Sequence, residues 1–307
     1  LMMALVNASD AFMLGFVNQD ALSAVSLAGQ VQFVYSLFLF AITAGVSIFA
    51  AQYWGIQNKK AVEKTLGIGL AFSVLLSLPF TIGATFFPEL LMRAFASDPV
   101  LIQDGAVYLR VVGVSYLLLS ISQIYLCILK NCGKAVLSAV ISSVSVIINI
   151  ILNAAFIFGI GFFPEMGIAG AAIASSISEG VSALFYILYT RYRTDWRRYK
   201  FRFTGFDFSL LKQILSLSVW VMIQQGVAFL AWFLFFLCIE HLGKRDLAAT
   251  NIVRAVSSLI FMFINAFAST TSSLVSNLIG AGYTEQIMPL CRKMIRLCFC
   301  FVLPLCI

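Results

Sequence analysis

The stretch LSAVSLAGQVQFVYSLFLFAITAGVSIFAAQYWG, residues 22–55, decides the fold, because none of its side chains is charged. About 20 consecutive apolar residues are enough to cross the hydrocarbon core of a bilayer as a helix. The whole chain of 307 residues has the same character, with 61% hydrophobic residues, 11% charged residues and a mean hydropathy of +0.99. The sequence therefore predicts an all-α, polytopic transmembrane helical bundle.

Other apolar runs predict further spans, about nine in total. The chain begins with Leu1 and stops inside an apolar run, so we expect a fragment of a longer protein. The predicted spans lie in residues 1–17, between Asp20 and Lys59, Lys64 and Glu89, Arg110 and Lys130, Lys134 and Glu165, in residues 167–190, between Lys212 and Glu240, Arg254 and Glu285, and in residues 290–307.

The quoted stretch has a second copy, because a shift of 225 residues brings residues 22–55 over residues 247–280 without a gap. The copies are six spans apart and so have the same orientation, as in a parallel repeat. We predict a first six-helix lobe in residues 1–190, a basic cytoplasmic linker in 191–209 and a truncated second lobe in 210–307. The identical pairs are Leu22 and Leu247, Ala24 and Ala249, Val31 and Val256, Phe38 and Phe263, Ala41 and Ala266, Ser47 and Ser272, and Gly55 and Gly280.

The basic residues predict the orientation of the chain. The net charge is +7, but 15 of the 20 basic residues lie in alternate loops, which the positive-inside rule places in the cytoplasm. The N-terminus is then cytoplasmic, and the expected partners are the lipid bilayer and small molecules rather than nucleic acid. These 15 residues are Lys59, Lys60, Lys64, Lys130, Lys134, Arg191, Arg193, Arg197, Arg198, Lys200, Arg202, Lys212, Arg292, Lys293 and Arg296.

The sequence argues against a metal centre and against an enzyme. The seven cysteines form no CxxC pair and His241 is the single histidine, so we expect no cofactor and no resident metal. No nucleophile or metal constellation is evident, which excludes a conventional catalytic site. About nine spans with a repeat also argue against a seven-helix receptor.

Four polar residues lie deep inside predicted spans. Asp10 and Glu179 are the acidic residues well inside apolar runs, and Asn149 and Asn153 are four residues apart and so share one helix face. At ~1.5 Å per residue, Asp10 and Asn153 lie ~10 Å below the outer boundary, Asn149 ~16 Å and Glu179 ~18 Å. A charge at this depth costs ~2.5 to 3.5 kcal/mol, so such residues usually face the protein interior. We expect the four to form one cluster.

A carboxylate with two amides can bind one small cation reversibly, either H⁺ or, through its oxygens, Na⁺. An ion-coupled transporter needs such a site, and moving one charge through 100 mV supplies ~2.3 kcal/mol. The alternatives are that the asparagines join helices, at ~0.6 to 2 kcal/mol, and that Glu179 bonds serines of its own helix. Gln224, Gln225 and Asn265 are candidates for lining a substrate cavity between the lobes.

The chain resembles the multidrug and toxic compound extrusion (MATE) transporters along essentially its whole length. The segments that carry the resemblance are SDAFMLGFVNQDALSAVSLAGQVQFVY (9–35), AAQYWGIQNKK (50–60), YLRVVGVSYLLLSISQIYLCILKNCGKAVLS (108–138), INIILNAAFIFG (148–159) and GIAGAAIASSISEGVSALFYI (167–187). The resemblance implies twelve helices in two lobes of six. It also implies an antiporter that exports organic, often cationic and aromatic compounds in exchange for H⁺ or Na⁺.

The resemblance assigns roles to particular residues. Asp10 matches the family's acidic residue in helix one, and Asn149 with Asn153 matches the polar pair of helix five. Some members have Asp at the second position, whereas Asn153 cannot release a proton. Ala228 stands near the place where some sodium-coupled members have an acid, and Glu179 stands where related sequences often have Gln.

A lipid-linked oligosaccharide flippase of a related two-lobe plan is the alternative function. Flippases usually need basic residues in the central cavity, and here they lie almost entirely in loops. We expect a monomer in the cell membrane.

Overall fold

A computed structural model describes residues 9, 13–15, 19–160, 163–193, 207–242 and 244–306. Asp10, with most of the first predicted span, lies outside the described residues. So do residues 194–206, which make up most of the predicted basic linker.

Every long element of the described residues is an α-helix, which confirms the all-α fold class. One short 3₁₀ helix, Thr284–Gln286, joins the last two helices. The α-helices are α1 Gln19–Gly55, α2 Lys59–Phe86, α3 Pro88–Arg93, α4 Pro99–Asn131, α5 Ala135–Ile157, α6 Gly167–Arg193, α7 Phe208–Leu242, α8 Lys244–Ala281 and α9 Ile287–Cys306.

Six helices of the described part are long and apolar enough to cross a membrane: α1, α2, α4, α5, α6 and α7. The chain is thus a multi-pass membrane protein, and the total of about nine spans stays a prediction. At ~1.5 Å per residue, the 37 residues of α1 measure ~55 Å, well beyond the ~30 Å hydrocarbon core. Helix α1 must therefore tilt or extend past the bilayer.

Local sequence signals explain where two of the spans begin. The Asn58 side chain caps α2 by accepting a hydrogen bond from the amide of Ala61 at 3.2 Å. Asp98 caps α4 in the same way, through the amide of Val100 at 2.9 Å, with Pro99 in the first turn. The short helix α3 was not predicted from the sequence, from which its residues were expected to form a loop.

The core of the bundle lies among α1, α2, α4 and α6. In one half of this core Tyr35 of α1 packs against Tyr116 of α4 with ring centroids 5.1 Å apart, and the Tyr35 hydroxyl donates to the Tyr116 carbonyl at 2.7 Å. In the other half Val46, Ile124 and Tyr186 are fully buried. Helix α4 is enclosed by its neighbours and is the centre of this part of the molecule.

Helix α1 joins two regions of the chain. We call residues 19–193 the first lobe and residues 207–306 the second lobe; that they form two separate lobes stays a prediction. Helix α1 packs against α2 and α4 inside the first lobe and against α7 and α8 of the second lobe. The two copies of the sequence repeat therefore lie in helices that contact each other, α1 and α8.

Candidate functional site

The centre of the site is a pair of asparagines on α5. Asn149 and Asn153 both have 0% exposed surface, and the Nδ2 of Asn153 donates a hydrogen bond to the Oδ1 of Asn149 at 3.0 Å. Their spacing of four residues brings both side chains to the same helix face. The two amides that the sequence singled out are therefore in contact.

Serines of α6 complete the surroundings of Asn149. Its Nδ2 lies 3.3 Å from the Oγ of Ser175 and 3.4 Å from the Oγ of Ser178. A second bond across the same helix pair runs from the Oγ of Ser145 to the carbonyl of Ser178, at 2.8 Å. We call this group the amide cluster; it consists of Asn149, Asn153, Ser145, Ser175 and Ser178.

Because the asparagines of the amide cluster are buried, their hydrogen bonds matter for the stability of the fold. A buried polar group without a partner costs ~1–3 kcal/mol, whereas one hydrogen bond between membrane helices contributes ~0.6 kcal/mol on average. Both Nδ2 hydrogens of Asn149 have an acceptor, and its Oδ1 accepts from Asn153. The amide cluster thus holds its oxygens in fixed positions between α5 and α6.

Glu179 follows Ser178 directly on α6 but faces another helix. The Oγ of Ser122 on α4 donates to the Oε2 of Glu179 at 3.0 Å, and Ser122 is buried. Successive helix residues point ~100° apart, which explains why Ser178 faces α5 while Glu179 faces α4. The alternative for Glu179 was a bond to neighbouring hydroxyls such as those of Ser175, Ser176 or Ser178. The described donor is indeed a serine hydroxyl, but it belongs to α4 rather than to its own helix.

The remaining predicted site residues do not join the amide cluster. Gln224 is exposed and Gln225 half-buried on α7, and Asn265 is exposed on α8. No hydrogen bond in the described part of the chain connects them to Asn149 or Asn153. Their place in a substrate cavity stays a prediction, as does the role of Asp10, which lies outside the described residues.

Ser122 and Asn131 are two buried polar residues with partners on other helices that were not predicted from the sequence. Ser122 was one of many hydroxyl residues in apolar runs, with no signal in its neighbourhood to mark it. Asn131 follows Lys130 at the end of α4, where a polar residue is unremarkable for a helix that ends at the membrane surface. The structure buries Asn131 to 1% exposure and bonds it to two other helices.

The donor set of the amide cluster is made of amide and hydroxyl groups. Such oxygens suit a hard cation such as Na⁺, whereas zinc and copper sites use sulfur and imidazole. No group of three His, Cys, Asp or Glu residues that could hold a metal ion occurs among the described residues. Amide and hydroxyl oxygens of this kind are chemically able to bind a small hard cation reversibly.

The sequence of the chain is similar to those of known membrane proteins. A profile of the MatE family matches residues 1–155 and 208–307. Over 280 residues the chain is 26% identical to the probable multidrug resistance protein YoeA of Bacillus subtilis (strain 168), and over 288 residues it is 27% identical to the probable multidrug resistance protein NorM of Thermotoga maritima. These matches cover 90% and 93% of this chain but 60% and 61% of the relatives' length.

The fold is also shared with solved structures. One is described as the outward-facing conformation of a multidrug resistance MATE family transporter of the MOP superfamily. The two structures superpose with a TM-score of 0.82 at 20% sequence identity. The superposition covers 96% of this chain and 65% of the solved chain. At this identity the similarity concerns the fold alone.

Proposed function

Because this chain belongs to the MatE family of transporters, we propose that it forms the larger part of a cation-coupled antiporter that exports organic compounds by alternating access. The proposed substrates are organic compounds, often cationic and aromatic, and the coupling ion is H⁺ or Na⁺. Support comes from the two relatives above, both named as probable multidrug resistance proteins.

The observation that carries the proposal is the pair of fully buried asparagines in the amide cluster, with the carboxylate of Glu179 on the adjoining helix α6. Glu179 is next to Ser178, whose Oγ lies 3.4 Å from the Nδ2 of Asn149. Amide and hydroxyl oxygens with a carboxylate nearby are what a monovalent cation needs to leave water. An interior used only for packing has no need of so many polar groups.

The division of labour follows from the chemistry of the groups. Asn149 and Asn153 cannot titrate, so they act as oxygen ligands or hydrogen-bond partners. Proton uptake, if H⁺ is the coupling ion, falls to the carboxylates Asp10 and Glu179. Binding one positive charge neutralises a carboxylate in a medium of low dielectric and thereby changes the relative stability of the outward-open and inward-open states.

The direction of transport and the location are part of the same proposal. The distribution of basic residues among the loops supports a cytoplasmic N-terminus, and the proposed location is the cell membrane. The protein works as a monomer in the lipid bilayer, without nucleic acid or a further cofactor. The cation moves inward down its gradient while the organic compound moves outward.

The flippase alternative has less support. The relatives above are named for multidrug resistance. Lys130 and Arg292 lie toward helix ends that the sequence predicts to be cytoplasmic, and the side chain of Arg110 within α4 is exposed. A pyrophosphate headgroup would need cations in the central cavity. Catalysis is not part of the proposal, because the family that the chain belongs to is a family of transporters.

Transport by purified protein in liposomes tests the proposal. The complete transporter that contains this chain is reconstituted with ethidium, a fluorescent organic cation, and a sodium gradient or a pH gradient is imposed. We expect one of the two gradients to drive ethidium movement well above that in control liposomes without a gradient. Equal movement with both gradients absent would reject the coupling, and movement of a fluorescent lipid instead of ethidium would favour the flippase.

A further inference from the structure

Asn131, the last residue of α4, connects three helices from both lobes. Its Nδ2 donates to the Oγ of Ser47 on α1 at 2.8 Å, and its Oδ1 accepts from the Oγ of Ser273 on α8 at 2.5 Å. The side chain is only 1% exposed. An amide at a helix end would normally be hydrated, so its burial here results from the contact between the lobes.

The neighbours of this contact repeat the pattern. Ser269, Ser273 and Asn277 are four residues apart and form one stripe along α8. The Nδ2 of Asn277 donates to the Asn131 carbonyl at 3.4 Å, and the Nζ of Lys130 donates to the Oγ of Ser269 at 2.7 Å. One face of α8 is thus hydrogen-bonded to the end of α4 over two turns.

Two glycines allow the backbones of α1 and α8 to meet beside this stripe. A methyl group on Gly55 would overlap the carbonyl oxygen of Asn277, and one on Gly280 would overlap the carbonyl oxygen of Gln52. Gly55 and Gly280 are also the last matched pair of the sequence repeat. Each copy of the repeat therefore presents its glycine to the backbone of the other copy, as small residues do where membrane helices approach closely.

All of these contacts lie at one end of the molecule. Gly55, Asn131 and Gly280 precede three of the four loops whose basic residues predict a cytoplasmic location. On the proposed function, which this inference assumes, alternating access requires the two lobes to separate on this side and let the cavity open to the cytoplasm. The contacts at Asn131 would then have to break in every cycle.

We propose that Asn131 is a positioning residue for transport, a latch that with Ser273 holds the cytoplasmic side closed. Its bonds are of a strength that suits a latch. When the lobes part, Asn131 and Ser273 exchange their mutual bond for water, so the net contribution of the bond is modest and the opening is reversible. At the glycine contact next to it the two backbones meet directly, so this contact itself adds no interlocked side chains.

The distance between the lobes tests the latch without substrate or ion gradient. Spin labels are placed at Lys60 and Glu285, two exposed residues just beyond Gly55 and Gly280, and the distance distribution is measured by double electron–electron resonance in lipid nanodiscs. The labels go on introduced cysteines after replacement of the native cysteines, except the buried Cys127.

The variants Asn131→Ala and Ser273→Ala each remove the bond between the lobes. We expect the population with a long label distance to rise about fivefold or more, the change that corresponds to losing roughly 1 kcal/mol. Two variants serve as controls and should keep the wild-type distribution. Thr271→Val removes a hydroxyl that bonds only the Phe267 carbonyl of its own helix, and Ser273→Thr keeps the hydroxyl.

An unchanged distribution in Ser273→Ala overturns the latch, and that milder variant decides the matter if Asn131→Ala does not fold. An equal shift in Thr271→Val also overturns it, because the effect would then come from loosening α8. The outcome is separate from the proposed function: a distance shift in a protein that moves no ethidium rejects the antiporter and keeps the latch. Ethidium transport with no distance shift rejects the latch and keeps the antiporter.

Discussion

Two buried asparagines in this molecule have the same chemistry and opposite surroundings. Asn149 is bonded to α6, the next long helix in the chain, and its partners Ser175 and Ser178 belong to the same lobe. Asn131 is bonded to Ser273, which is 142 residues away in the other lobe. In the proposed transport cycle the first site would stay assembled while the lobes move, and the second would be broken when they separate.

In the proposed function, one residue type serves cation binding in one place and motion in another. A site that holds a cation through a conformational change is expected inside a rigid group of helices, and the amide cluster lies within one lobe. A contact that must open is expected on the boundary, where water replaces each lost bond.

Replacing Asp10 by Asn should have the largest effect. In the proposed function Asp10 supplies negative charge for the coupling cation, and Asn has a similar size but no charge. We expect gradient-driven ethidium efflux to be abolished in cells with normal expression of the transporter. Efflux at the wild-type rate would remove Asp10 from the coupling site.

Replacing Asn149 by Ala should damage both transport and stability. Asn153 loses the acceptor of its Nδ2 and the buried serines lose a donor, so we expect the free energy of unfolding to fall by ~1–3 kcal/mol. Thermal unfolding in detergent measures this loss. The lobe distance should stay as in the wild type, unlike that of Asn131→Ala.

Ser115→Ala is the matched control for Asn149. Its hydroxyl is buried but bonds only the Val112 carbonyl of its own helix, at 2.6 Å. We expect a loss of about 0.6 kcal/mol or less and normal efflux. If the control were as harmful as Asn149→Ala, the amide cluster would have no special role.

Replacing Glu179 by Gln separates its charge from its hydrogen bond. Gln still accepts from Ser122 but takes up no proton, so we expect efflux driven by a pH gradient to fall roughly tenfold, which corresponds to ~1.4 kcal/mol. Ser122→Ala removes the bond and keeps the acid, and it should retain most of the efflux. If Ser122→Ala lowered efflux more than Glu179→Gln did, Glu179 would be a structural residue.

Removing a surface ion pair between the lobes should have the smallest effect. Lys64 and Asp207 lie 3.9 Å apart with 53% and 41% of their side chains exposed, and such pairs contribute ~0 to 1 kcal/mol. For Lys64→Ala we expect less than a twofold change in the long-distance population between labels at Lys60 and Glu285. A shift as large as that of Asn131→Ala would mean that surface charge, not the buried latch, closes this side.

Several features of the fold follow from the sequence because they are local. Charge-free runs predict helices such as α1 and α5, and the spacing of Asn149 and Asn153 predicts a shared face. The repeat also pointed to Gly55 and Gly280 as equivalent positions. Their mutual contact is a finding of the structure, since a repeat fixes equivalence and orientation but not which residues touch.

The rest of the site depends on contacts between distant parts of the chain. Ser122 is 57 residues from Glu179 and Ser47 is 84 residues from Asn131, and no periodicity within one helix encodes such a pairing. Asn131 in particular looks like an ordinary residue of a helix end until α1 and α8 cover it. The short helix α3 escaped prediction because six residues are too few for a periodic pattern.

The most direct test of the central claim is ion release on substrate binding. The purified transporter is loaded with ²²Na⁺ in weakly buffered solution, tetraphenylphosphonium is added, and displaced sodium and released protons are measured together. A cation-coupled antiporter predicts that binding of the organic cation expels protons or sodium, and that Asp10→Asn does not release them. Binding of tetraphenylphosphonium with neither ion released would contradict the account.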